Sequence, residues 1–339
     1  MNLPYRFQEE AGTEPVISVD GYFGAPGLNL SHWPGNTTPD DLRHDLSTGS
    51  ALLFARLDPA ERERRAAGCV AVANNHSDTD GVCAAYAVLH PTEALALETE
   101  LLDAAAAGDF FQVPTEQAFC IDHLITRWRD SDDSPIAARL SECPDEAAQR
   151  QLLTIDLLER LPRWLAGEYT EHADLYTPAL ERLATDRAAL QASHSDDIVH
   201  FDYTIFTSAL DAPFAPGRHA IYAETEADRV LLLRPTAAGT YCRFLINTTS
   251  WFDLPSRDPF ERPNLESLRD HLNTLEQAAN SPATWHTHAT TNAAPELWCG
   301  TPNQPTFDEH NPHLQPSTLT PKTLNHELIE ALRTTWSFD

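Results

Sequence analysis

The stretch VAVANNHSDTDGVCAAYAVLHP runs from Val70 to Pro91. It opens as an apolar run, sets His76, Asp78 and Asp80 at every second position, and continues from Gly81 as an apolar run of small residues. The first run predicts a buried strand and the last a buried helix, so the polar residues fall on a strand-to-helix turn. That unit builds open α/β sheets, where ligands sit at the carboxyl ends of strands. Side chains at i, i+2 and i+4 of an extended chain share one side, which predicts that His76, Asp78 and Asp80 converge on one point. Two carboxylates this close repel, and burying them bare is costly. A divalent cation relieves both. Imidazole with carboxylate suits Mn²⁺, Fe²⁺ or Zn²⁺, and Mg²⁺ where water completes the sphere. Two readings stay open on these residues: a metal site, or a turn in which Asp78 or Asp80 caps the following helix. An EF-hand is excluded, because with His76 at position 1 its position 12 is Ala87, where a bidentate Glu is required.

Upstream, PVISVDGYFG (Pro15 to Gly24) reads as a short buried strand ending at Asp20-Gly21. If it neighbours the Val70 strand, Asp20 reaches the same crevice. APGLNLSHWPGNTTPDDL reads as a loop, with Thr38 as N-cap and Pro39 at N1 of a helix. His32, Trp33, Asn36 and His44 crowd this region, and loops on a rigid scaffold often carry binding residues. A second helical run, TGSALLFARL, follows.

Downstream to about residue 192, amphipathic helical runs dominate, among them one from Pro91 that Gly108 is expected to end as a C′ glycine. From Asp196 the pattern turns β-rich, in DDIVHFDYTIFTSAL, HAIYAET, RVLLLRP and TYCRFLIN, with His194 to Asp197 marking a linker. ELWCG (Glu296 to Gly300) is a short strand within a Pro/Thr/Asn/His-rich loop that also holds WHTH (Trp285 to His288) and DEHNPH (Asp308 to His313). Helices begin near Asn264 and Asn325. The expectation is an α/β protein. A parallel-sheet domain with flanking helices spans 1–192 and carries the candidate metal ligands, and a smaller α+β domain spans 197–339.

The chain has 339 residues and 42% hydrophobic content, enough for two cores. Its formal net charge is -28, with Lys322 the only lysine. Such a surface repels long polyanions, so extended DNA or RNA is an unsuitable partner, while a small anion can bind where a metal neutralises it. The start MNLPYRFQEEAGTEP has no basic segment before an apolar block, and no run reaches the roughly 18 apolar residues of a membrane span. The expected location is therefore cytoplasmic, with no membrane partner. A homo-oligomer is compatible with the sequence. Six scattered cysteines, with no Cys-x-x-Cys pair, read as reduced residues in apolar runs. Nucleophile-elbow, Walker A and Gly-x-Gly-x-x-Gly motifs are absent.

NNHSDTDGVCAAYAVL resembles the first motif of the DHH phosphoesterase superfamily, which includes RecJ-type exonucleases, exopolyphosphatases and family II pyrophosphatases. His76, Asp78 and Asp80 match its alternating ligands by position. The resemblance implies an N-terminal α/β domain that binds one or two Mn²⁺ or Mg²⁺ ions, and a C-terminal domain that contacts substrate. AAAAGDF (Ala104 to Phe110) is similar to a later superfamily motif ending in Gly-Asp, which makes Asp109 a further ligand. The namesake Asp-His-His is missing: CIDHLI offers Asp122 and His123, then Leu. His32 or His44 would then supply the missing ligand or act as general acid.

The expected function is a metal-dependent phosphoesterase-like hydrolase of a small phosphate ester or anhydride. Asp20, His76, Asp78, Asp80 and Asp109 hold metal, and His32 and His44 serve catalysis. Trp33, Asn36, Asn75 and Arg243, with Arg234 as an alternative, contact substrate. The rival readings are a catalytically silent module binding a nucleotide or phosphorylated metabolite on the same scaffold, and a metal-dependent hydrolase of a non-phosphate substrate.

Overall fold

Val16–Val19 (β2) is buried along its whole length, as is Val72–Asn74 (β4). A strand buried on both faces belongs in the middle of a parallel sheet. In the computed structural model β2 pairs in parallel with β4 and with Gly27–Leu30 (β3), and β4 pairs in parallel with Tyr5–Phe7 (β1). The order is β1-β4-β2-β3, so all four carboxyl ends lie along one edge. Residues 3–130, 134–209, 214–258, 261–304 and 313–334 are described. Residues 308–312 of the His-rich run lie outside them.

Helices cover this sheet: Ser47–Arg56 (α1), Pro59–Arg65 (α2), Thr79–Leu89 (α3), Pro91–Ala96 (α4), Glu98–Phe110 (α5), Glu116–Asp130 (α6), Ala137–Ser141 (α7) and Glu146–Leu165 (α8). α3 is the central one. Its Val82, Cys83, Ala84, Ala85 and Ala87 are fully buried, and it packs against α1, α5, α6 and α8. Small residues allow that crowding. Gly108 does not end α5 but sits within it, where a Cβ would come 2.8 Å from the Thr79 Cβ. The left-handed C-cap is Phe111 instead.

The expected loop after Ala25 holds β3, so Ser31 and His32 leave the end of a strand. The four-residue GLNL run is too short for its pattern to stand out among Pro and Gly. Thr38 does not cap a helix. The segment makes one 3-10 turn, Asp40–Leu42, and the Thr38 hydroxyl binds the Ser31 amide and carbonyl.

The chain divides into two compact units: Met1–Glu181 with Phe252–Asp258, and Arg182–Trp251 with Pro259–Asp339. The division falls inside Ala173–Gln191 (α9), earlier than the change of composition, and the first unit takes up a segment from far downstream. The second unit is built on a six-stranded mixed sheet of His194–Ile198 (β5), Tyr203–Thr207 (β6), Arg229–Thr236 (β7), Gly239–Ile246 (β8), Trp285–Thr287 (β9) and Glu296–Cys299 (β10). Its order is β5-β6-β7-β8-β10-β9, with only β6 and β7 parallel. Leu265–Ala278 (α11) and Pro321–Arg333 (α12) bury Leu268, Leu272, Leu324 and Leu328 against it. The fold class is α/β with a second mixed sheet. Three expectations are corrected. HAIYAET carries the short helix Arg218–Tyr222 (α10), the expected linker after His194 is edge strand β5, and WHTH begins as edge strand β9. All six cysteines are free.

Candidate metal centre

Three strand ends and two helix ends meet at the carboxyl edge of the first sheet. Asp20 follows β2 with φ 59°, a left-handed turn that Asp tolerates. His32 follows β3, His76 follows β4, Asp80 lies in the first turn of α3 and Asp109 in the last turn of α5. The His32 Nε2 lies 2.9 Å from an Asp109 oxygen and 3.6 Å from oxygens of both Asp20 and Asp80. The side chains of Asp20, His32 and Asp80 are 0% exposed and that of Asp109 8%. On the other side of Asp20, the His76 Nε2 lies 2.6 Å from Asp20 Oδ2 and 3.0 Å from Asp78 Oδ2, with His76 and Asp78 24% and 30% exposed.

The alternation at 76, 78 and 80 does not converge on one point. Helix α3 begins at Thr79, which rotates Asp80 away from the direction an extended chain would give it. His76 and Asp78 face one half of the centre, Asp80 faces the other, and Asp20 serves both. Thus Asp20, His32, Asp80 and Asp109 form one group able to hold a metal ion, and Asp20, His76 and Asp78 another.

The surroundings hold these ligands in place. Asp80 accepts the Ser47 and Thr48 amides at the N-terminus of α1, both at 2.8 Å. The Ser47 hydroxyl donates to Asp20 Oδ1 at 3.0 Å. Asp78 caps α3 by accepting the Gly81 amide at 3.0 Å, and its other oxygen faces His76. The capping reading is therefore true of Asp78 through one oxygen, while Asp80 caps α1 rather than the helix it belongs to. Gly81 is required by close approach: a Cβ there would lie 2.2 Å from Asn74 Nδ2 and 3.1 Å from Asp20 Oδ2. Asn75 pairs with the other ring nitrogen of His76 at 2.6 Å.

The charge is unbalanced. Burial raises the Asp20 carboxyl to about 6, with the charges of Asp78 and Asp80 adding to it against His76. Burial, with the Asp80 and Asp78 charges, also raises Asp109 well above the carboxylate range. For His32, burial pulls the imidazole down, but Asp109, Asp80 and Asp20 outweigh it and hold it at about 9. His76 is raised likewise, against its burial, by Asp78 and Asp20. Burial pushes Asp78 up, yet His76, the Gly81 amide and the Arg129 charge bring it below the usual range. The buried atoms Asp20 Oδ2, His32 Nε2 and His76 Nε2 make no hydrogen bond of ordinary geometry. Oxygen and nitrogen donors facing one another this way suit a divalent cation.

Other sequence candidates stand apart. His44 accepts the Leu46 amide at 3.1 Å and packs over Gly49, ordering the turn into α1. Asn36 bonds the Trp33 carbonyl and Asp253. Trp33 stays at the site, its ring 5.1 Å from that of His76. Arg243 is buried, clamped by Glu296 at 2.6 and 3.2 Å and by the Pro216 carbonyl, so it is a structural ion pair rather than a substrate contact. Arg234 lies over the Tyr241 ring. The Asp122 carboxylate takes the Thr79 hydroxyl at 2.6 Å. The His286 ring meets the Gly300 carbonyl, and the His288 ring packs beside that of Trp298.

Sequence reasoning missed Ser47, Thr48, Asn74, Asp45 and Phe252. The Asp45 carbonyl meets His32 Nδ1, and Phe252 stacks on the His32 ring at 3.8 Å. For Ser47 and Thr48 the available signal was their place at the start of a helical run, where amides point outward. Nothing local marks Phe252.

These features define an α/β protein with a buried Asp/His centre competent for a divalent cation. Over residues 2–339 the chain matches the family described as "Family of unknown function (DUF6687)", and it belongs to that family. No curated protein matches it. Among solved structures it is similar to the "pGpG-specific phosphodiesterase" PggH of Vibrio cholerae, at 9% identity and a TM-score of 0.35, over 95% of this chain and 84% of that one. Among the described residues no helix is long and apolar enough to cross a membrane.

Proposed function

We propose that this chain is a metal-dependent hydrolase of the phosphoesterase type, acting on a small phosphate ester or anhydride with Mn²⁺ or Mg²⁺ at the Asp20 centre. One observation carries the reading: the two carboxylate oxygens of Asp20 belong to two adjoining ligand groups. A carboxylate shared in this way would let Asp20 help to hold two ions, the arrangement that two-metal hydrolases use to activate water and neutralise phosphoryl oxygens. The motif resemblance around His76, Asp78 and Asp80 supports the same class. When bound, the ions would lower the pKa of a water and neutralise phosphoryl oxygens.

The protein's own part is orientation. Ser47 fixes one Asp20 oxygen, the α1 amides fix Asp80, and Asn75 sets the ring angle of His76. Substrate would arrive on the side of His76 and Asp78, the exposed half, with Trp33 offering a flat surface to a base or leaving group. The net charge of -28 favours compact substrates over long polyanions.

The test is calorimetric titration of Mn²⁺ into metal-stripped protein, followed by turnover assays with Mn²⁺ on p-nitrophenyl phosphate, pyrophosphate, mononucleotides and a linear dinucleotide. We expect binding and hydrolysis of at least one of these, both lost in Asp20→Asn. Equal Mn²⁺ binding by wild type and Asp20→Asn contradicts the assignment. Metal-dependent binding of a phosphate compound without turnover supports the silent module instead, a reading favoured by the engagement of Asp80 and Asp78 with helix amides.

A further inference from the structure

His32 is held by residues far from it in sequence. Its ring stacks on Phe252 at 3.8 Å and 21°, and Phe110 stands edge-on to Phe252 at 6.1 Å. The His32 carbonyl accepts the Asp253 amide at 2.7 Å. Its Nδ1 meets the Asp45 carbonyl, while the Asp45 carboxylate takes the Ser256 amide at 3.0 Å and the Ser256 hydroxyl. Asp253 is in turn held by Arg43 at 2.7 Å and Asn36 at 3.2 Å. Residues 252–258, an excursion of the chain into the first unit, are thus fastened at both ends of the His32–Asp45 loop. Phe252 is itself 7% exposed.

Accepting the Asp20 centre as a metal centre, we propose that residues 252–258 form a strap, with Phe252 a positioning residue that sets the His32 ring and roofs the inner half. An ion held by Asp20, His32, Asp80 and Asp109 then leaves slowly. An ion held by Asp20, His76 and Asp78 leaves fast, because those side chains reach solvent. Ring-on-ring contact fixes the imidazole plane as well as its place, and partners that orient a ligand rather than bind the metal typically govern affinity by about 10–100-fold. The Arg43–Asp253 pair is part-exposed, so it contributes less than the aromatic contact.

The test uses full-length protein loaded with Mn²⁺, freed of excess and mixed with EDTA, following release of Mn²⁺ by electron paramagnetic resonance. Wild type should release in a fast and a slow phase of equal size. Phe252→Ala should speed the slow phase about tenfold or more and leave the fast one in place. Phe252→Leu should do less, and Arg43→Ala, which touches no ligand, should speed the slow phase by a smaller factor. Cooperative thermal melting of each variant checks that it is folded. Two wild-type phases with an unchanged slow phase in Phe252→Ala overturn the strap and leave the metal centre standing. Both phases sped equally would also overturn it. If Phe252→Ala does not fold, an unchanged slow phase in both Phe252→Leu and Arg43→Ala has the same force. A wild type that takes up no Mn²⁺ overturns the metal reading, and the strap with it.

Discussion

Each of the two units buries charge, and they treat it differently. In the second unit the buried carboxylates sit among side-chain and backbone donors and arginine charges, although one oxygen of Asp228 accepts no hydrogen bond. Glu296 is clamped by Arg243, and Glu276 accepts the Ser317 and Thr318 hydroxyls and the Trp285 ring N–H. Asp228 takes the Thr249 hydroxyl and the Ser250 amide, with the charges of Arg229 and Arg262 close by. In the first unit, Asp156 is treated the same way by Arg139, Arg160 and Trp128. The Asp20 centre is the exception. Three buried carboxylates face one another across imidazoles, and in the described ion pairs Asp20 and Asp80 meet only histidines. Buried charge is stable when paired and costly when not. Arginines and hydroxyls compensate the charge at Glu296, Glu276 and Asp156, whereas the Asp20 centre is a group of residues that could hold a divalent cation.

That contrast can be broken by substitution. The largest effect should come from Arg243→Ala, which leaves Glu296 buried and uncompensated. Denaturant unfolding should show a loss of about 3–5 kcal/mol, with Mn²⁺ binding unchanged. A loss below about 1 kcal/mol would mean that the pair does not need its partner. Asp20→Asn should do the reverse in metal-free protein. Asn keeps the left-handed turn and removes one repelling charge, so stability in EDTA should rise by about 1–4 kcal/mol, by analogy with the replacement of buried ion groups. In saturating Mn²⁺ the order should invert, since wild type gains about 4 kcal/mol at 1,000 times its Kd and the variant gains little. Melting curves that fail to cross between EDTA and Mn²⁺ would contradict the contrast. The smallest effect belongs to Asp78→Asn, because Asn caps a helix as well as Asp. Metal-free stability should fall by no more than about 1 kcal/mol, the share of the part-exposed His76–Asp78 pair, while the stoichiometry of Mn²⁺ falls from two to one.

Much of this was legible in the sequence, and unevenly. The strand-turn-helix at Val70 to Leu89 gave the α/β class because its apolar runs are long and its polar residues fall in one place. Asp20 was legible from the end of a short apolar strand. His32 was read as a loop residue because β3 is only four residues long and starts at Gly27. His44 was grouped with it on sequence proximity alone, whereas the chain turns between them and sends His44 against Gly49. Arg243 was assigned by charge, but on β8 it alternates with Cys242 and Phe244, which join the core with α11 and α12. On the opposite face it is buried against the Pro216 carbonyl, with Glu296 of the adjacent strand as its partner. Phe252 and Ser256 were illegible for another reason. Their partners His32 and Asp45 lie more than 200 residues away, 211 for Ser256 and Asp45, and no periodicity encodes a long-range return of the chain.

The most direct test of the central claim is a crystal of the protein soaked in Mn²⁺, with anomalous diffraction collected at the manganese edge. Two peaks are expected, one bounded by Asp20, His32, Asp80 and Asp109 and the other by Asp20, His76 and Asp78, with Asp20 touching both. An anomalous map without a peak at Asp20, or with manganese confined to surface carboxylates, would contradict it.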